Sequence, residues 1–100
     1  MTTRAVRIAR IYLSEADQQL NDIMQYLHDN GKISGATVYR GIEGYGASGK
    51  IHESSLLDLS FNLPITLEFF DESSKVLAII EQLKQQFNLS QIISWLADQH

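Results

Sequence analysis

Near its start the chain alternates. In "AVRIARIYL" (5–13), Val6, Ile8, Arg10 and Tyr12 fall on one side of an extended backbone and Arg7, Ala9, Ile11 and Leu13 on the other. Apolar residues on both sides predict a strand with both faces partly covered. The period then changes to that of a helix. Leu20, Ile23, Met24 and Leu27 recur at i, i+3, i+4, i+7, a single stripe along a helix predicted near residues 15–30. Ser14 is placed to cap it, with Asp17 at the third helical position, and "DNG" stops it, Gly31 suiting the left-handed position past the last turn.

"KISGATVYRGI" (32–42) predicts the second strand through Thr37, Val38 and Tyr39, all good β-formers. "LPITLEFFD" (63–71) predicts the third, with Leu63, Ile65, Leu67 and Phe69 on one face and Thr66, Glu68 and Phe70 on the other. Pro64 suits a strand start or an edge. Val76, Ile79, Ile80, Leu83 and Phe87 mark a second helix over 73–87, with Asp71 or Ser73 as its cap, and "QIISWLA" (91–97) is the last strand. The order β-α-β-β-α-β predicts an α+β, ferredoxin-like fold: a four-stranded antiparallel sheet with two helices on one face. Leu20, Ile23, Met24, Leu27, Val76, Ile79, Ile80 and Leu83 are its expected helical core. Tyr12, Val38 or Tyr39, and Phe70 then fall on the uncovered sheet face, which is too apolar to leave in water and predicts self-association.

One hundred residues predict a single domain over 1–100. No run of about 18 apolar residues and no signal-peptide core occur, so neither membrane insertion nor export is expected. The absence of cysteine removes disulfide and thiolate chemistry and agrees with a cytoplasmic setting. A net charge of −4 excludes broad, non-specific nucleic-acid binding.

The most conspicuous stretch is "GYGASGK" (44–50). It spells both G-x-G-x-x-G and G-x-x-x-x-G-K. Either motif needs a strand before it and a helix after it. The chain continues instead with "IHESSLLDLSFNLPITLEF", leading to a strand, and Ile51 stands where a P-loop has its metal-binding hydroxyl. The dinucleotide and P-loop readings therefore fail on context, and a kinase glycine-rich loop, which does lie between two strands, would need further parts that are absent. Two readings remain. The glycines could let backbone N–H groups approach an anion closely, with Ser48 as a hydroxyl donor and Arg40, Lys50 and His52 as flanking cations. They could equally form a connector whose glycines permit tight turns. Composition does not separate the two. His52-Glu53 lacks the further ligands that a metal needs, and no Ser/His/Asp set has the spacing for nucleophilic catalysis.

"GATVYRGIEGYGASGKIH" (35–52), with "RIYLSE" (10–15) and "LSFNLPITLEFFDESSKV" (59–76), resembles the signature of a PII-like family known as domain of unknown function 190. The likeness runs over residues 8–97. It implies a ferredoxin-like subunit of a homotrimer, similar to PII signalling proteins and to CutA-like proteins. In PII proteins the long loop between the second and third strands meets channels and enzymes, and small effectors bind in clefts between subunits near its base. The corresponding loop here is about residues 41–59. The PII phosphate-holding connector between the second helix and last strand is glycine-rich and basic; here it is "QFNLS" (86–90), without glycine or cation.

Together these features point to a non-catalytic regulatory protein. A small anionic effector, a nucleotide or another small anion, would bind at inter-subunit clefts. Gly44, Gly46, Ala47, Ser48 and Gly49 would supply donors, flanked by Arg40, Lys50 and His52. Glu43 and Tyr45 would face a partner protein such as a transporter or an enzyme, since an aromatic between two loop glycines has no evident core duty. The alternatives are an enzyme for a small anionic substrate, with His52 and Glu53 as acid and base, and a CutA-like structural or metal-tolerance trimer. Glu68, amid apolar neighbours, is expected to pair with Arg10 or Arg40 or to meet another subunit, and Trp95 to serve core or interface.

Overall fold

The computed structural model describes residues 2–45, 52–53, 63–89 and 91–100. The chain runs β1 (Arg4–Ser14), α1 (Leu20–Asp29), β2 (Ala36–Arg40), β3 (Glu43–Gly44), β4 (His52–Glu53), β5 (Pro64–Asp71), α2 (Ser73–Gln86), β6 (Ile92–Gln99). Four strands form one antiparallel sheet in the order β2-β5-β1-β6. This is the expected ferredoxin-like sheet. β3 and β4 pair separately as a short ribbon, Glu43 opposite Glu53 and Gly44 opposite His52.

Register sorts the side chains because directly opposed residues share a face. Ala9 and Ala36 both oppose Phe69, and Ile11 and Val38 both oppose Leu67. This face carries the core. Ala9, Ile11, Leu67 and Phe69 are buried against Ile23 and Leu27 of α1 and Val76, Ile79 and Leu83 of α2. Leu20, Met24 and Ile80 are half-buried at its margin. Each fully buried side chain of this kind contributes about 1.5–3 kcal/mol.

On the opposite face lie Tyr12, Thr66 and Tyr39 in one row, and Arg10, Glu68, Thr37 and Ile93 in the next. Tyr12, Tyr39, Phe70 and Ile93 are exposed there. The register resolves the Val38 or Tyr39 alternative in favour of Tyr39. Val38 faces the helices and is exposed through its place on the edge strand.

Several element ends differ from expectation. Ser14 does not cap α1. It stays in the β1 ladder opposite Pro64, and the Glu15 N–H donates to the Leu63 carbonyl at 2.9 Å. A turn comes next, in which Asp17 N–H donates to Ser14 O at 3.0 Å, and α1 opens only at Leu20, later than expected. Gly31 does not take the left-handed conformation, which falls on Lys32 with φ 53°. Gly31 instead permits a close approach, since a Cβ there would lie 3.2 Å from both Ile79 Cδ1 and Leu27 O. β2 is shorter than 32–42 because Ile33 turns back, its N–H donating to Leu27 O at 3.1 Å. Neither Asp71 nor Ser73 caps α2: the N-cap residue is Glu72, whose own N–H donates to Asp71 Oδ1 at 2.7 Å. Ser73 accepts from Arg7 Nε at 2.9 Å.

Candidate functional site

The end of β1, the end of β2 and the start of β5 meet at one end of the sheet, where the 41–59 loop leaves it. The exit is closely fastened. Arg40 opposes Ile65, and the next amide, Gly41 N–H, donates to Pro64 O at 2.7 Å. A Cβ on Gly41 would lie 2.6 Å from Pro64 Cγ, and one on Gly44 would lie 3.0 Å from the same atom. Both glycines therefore seat the loop root on the proline ring. For Gly44 this packing duty was not foreseen. β3 and β4 then bring Gly44 across from His52, so the "GYGASGK" segment begins in a ribbon whose return strand carries the histidine. Residues 46–50, and with them Gly46, Ala47, Ser48, Gly49 and Lys50, lie outside the described residues. Tyr45, the expected partner contact, is exposed, as is Glu43.

Beside this root opens a cleft of about 430 Å³. Glu15, Asp17 and Gln18 of the β1–α1 turn form one wall, Leu20 and Asn21 of α1 another, and Arg40 and Ile65 the side nearest the loop. Of the binding residues expected from sequence, Arg40 alone lines it among the described residues. Arg40 Nε forms an ion pair with Glu15 Oε1. The two side chains differ sharply in exposure, 70% for Arg40 and 9% for Glu15. Oε1 is buried, and Arg40 is its one partner among the described residues. Asp17 is engaged by its own turn: Oδ1 accepts from Gln19 N and Nε2 at 3.0 Å, and Oδ2 from Nε2 at 3.2 Å. Gln19 also exchanges hydrogen bonds with Asn88, donating to its carbonyl at 3.1 Å and accepting its N–H at 2.8 Å. The connector after α2 is thus tied to the same corner of the fold.

Glu15 was the residue that sequence reasoning missed as a cleft group. It ends the "RIYLSE" block, and its position directly after a strand carried the signal. Glu68 pairs with Arg10, one of its two expected partners, at 2.8 Å. Hydrogen bonding to Glu68, and then to Tyr12, pushes the Arg10 guanidinium further above its ordinary range. Its carbon lies 5.0 Å from the Trp95 ring centroid, a cation–π distance. His28, in the last turn of α1, hydrogen-bonds Asp29 at 2.7 Å and holds that carboxyl below its usual range. Among the described residues no group of three or more potential metal ligands occurs, and no helix is long and apolar enough to cross a membrane.

Sheet order, helix placement and a long loop leaving between β2 and β5 define a PII-like ferredoxin fold. CPII from Thiomonas intermedia K12, a nitrogen regulatory PII-like protein solved with ADP, AMP and bicarbonate, matches with a TM-score of 0.68 at 18% identity, over 97% of this chain and 88% of its own. The divalent ion tolerance protein CutA1 from Ehrlichia chaffeensis matches with a TM-score of 0.62 at 14% identity, over 90% of this chain and 78% of its own. At these identities the likeness is one of fold. The chain belongs to the DUF190 family, described as an uncharacterized ACR, whose model matches residues 6–98. A UPF0166 protein of Aquifex aeolicus (strain VF5) is 33% identical over 86 residues, 82% of each chain.

Proposed function

We propose that this chain is a PII-like regulatory module that binds a small anionic effector at the root of the 41–59 loop and presents that loop to a partner protein. The observation that carries this reading is the cleft at the loop root, with an exposed guanidinium, Arg40, at the point where β2 becomes loop. A group that engages Arg40 acts on the residue that precedes the loop's first hydrogen bond, Gly41 to Pro64. Effector binding would thereby act at the root of the loop that meets the partner protein. That CPII shares the fold and is bound to ADP and bicarbonate supports an anionic ligand. Glycine-loop donors at 44–49, with Lys50 and His52, would complete the site.

The module works as a homotrimer in this reading. The open sheet face supports it, because Tyr12, Tyr39, Phe70 and Ile93 share one exposed side. Sedimentation at micromolar concentration should give three chains per particle, and a monomer there would remove the inter-subunit site.

The effector itself is tested by calorimetric titration with ADP, ATP, AMP and small dicarboxylates. Charge-assisted hydrogen bonds contribute about 1.5–3 kcal/mol. Lys50→Ala should therefore weaken binding roughly tenfold or more and leave the melting temperature of the free protein nearly unchanged. A variant that binds as tightly as the parent would make the glycine loop a partner contact and no ligand site.

A further inference from the structure

We infer that the cleft at the loop root takes an amphoteric ligand of the α-amino-acid class, its ammonium on the Glu15 carboxylate and its carboxylate on Arg40. The inference rests on the effector reading above and names the ligand class. Among the described residues, two carboxylates, Glu15 and Asp17, and one guanidinium, Arg40, line the cleft, so it offers both signs of charge. A ligand with both signs of charge finds a counter-charge for each of its ends there.

Glu15 supplies the second, independent indication. A carboxylate nine-tenths buried is costly unless it is paired and hydrogen-bonded. Its Oε1 has the pairing, from a mostly exposed Arg40, and no second donor among the described residues. An ammonium offers three rotatable donors for the remaining acceptor capacity of that oxygen. Arg40 is mostly exposed and presents a planar fork suited to a carboxylate. The existing Glu15–Arg40 pair would be exchanged for two ligand pairs of the same signs. Asp17 adds field without contact, since Gln19 occupies both its oxygens. Leu20 and Ile65 give an apolar patch for a ligand side chain, and the cleft volume of about 430 Å³ lies within the range of about 300–1,000 Å³ usual for small-molecule sites.

The test is a thermal-shift screen of the standard L-α-amino acids on the full chain, with ADP in parallel. The best amino acid is then titrated calorimetrically against its deaminated analogue, for instance L-glutamate against glutarate. The amino acid should bind at least tenfold tighter than the analogue. Glu15→Gln should abolish that preference while leaving the analogue's affinity unchanged or higher. The comparison on the parent protein needs no variant, so it stands even where Glu15→Gln folds poorly. An analogue that binds as tightly as the amino acid, or a Glu15→Gln protein that keeps the preference, overturns the inference. Binding of ADP with none of any amino acid overturns the inference and leaves the anionic-effector reading in place. Amino-acid binding that depends on Glu15 and is unchanged in Lys50→Ala supports the inference and removes the glycine loop from the site. Binding of neither class overturns both.

Discussion

Gly41→Ala probes the fastening of the loop root. A Cβ at this position would meet Pro64 Cγ at 2.6 Å and Pro64 O at 3.3 Å. Pro64 has little freedom to yield. Its ring closes on its own backbone, its carbonyl accepts the Gly41 N–H, and it stands opposite Ser14 in the β1–β5 ladder. Relief must come from moving Gly41 or the start of β5, either of which loosens the 2.7 Å hydrogen bond. Overpacking of this kind costs about 1–3 kcal/mol. Restricting the unfolded chain returns about 0.4–1 kcal/mol. The net loss is about 1–2 kcal/mol, which for a chain of this size lowers the melting temperature by about 4–8 °C per kcal/mol. Gly35→Ala is the matched control. Nothing lies within 4 Å of a Cβ there and the backbone is not left-handed, so the same entropic gain should appear without the clash. Urea denaturation of the three proteins at one fixed concentration gives the comparison. Equal midpoints for Gly41→Ala and Gly35→Ala would refute the account of the loop root.

Leu83 is wholly buried between α2 and the sheet, so Leu83→Ala should cost about 2–5 kcal/mol, read as a drop in the urea midpoint with unchanged slope; a midpoint equal to the parent's would place α2 wrongly. Asp71 sets a pH dependence. Burial pushes its carboxyl up, but the Glu72 N–H, Lys75 at 3.2 Å and Arg4 at 3.0 Å together outweigh burial and hold it below its ordinary value. A carboxyl lowered by folding stabilises above its unfolded value of about 3.9 and loses that contribution as pH falls through the folded value. The stability deficit of Asp71→Asn should thus be constant near neutral pH and shrink below about pH 4, and a deficit that grows with acid would contradict the sign.

Strand and helix periods carried the architecture, because a half-buried strand and an amphipathic helix write their covered faces directly into the chain. The alternation of Ala9 and Ile11, and the stripes through Ile23 and Leu27 and through Val76, Ile79 and Leu83, needed no partner to be read. Their cluster is the observed core. Residue blocks such as "RIYLSE" and "GATVYRGIEGYGASGKIH" carried the family in the same way. Element ends were not legible. Ser14 has the chemistry of a cap, yet the ladder opposite Pro64 claims it, and the strength of that ladder depends on a residue far along the chain. Gly31 and Gly44 look alike in sequence as turn formers, while the fold uses each for close contact, with Ile79 and with Pro64 respectively. The cleft is the clearest case. Glu15 just past β1, Arg40 at the end of β2 and Ile65 near the start of β5 come together at one end of the sheet, and no spacing along the chain announces that they meet. Periodicity is a property of one segment against an unspecified apolar surface. A site is a property of several segments at once, and it exists when pairing register decides which strand ends coincide.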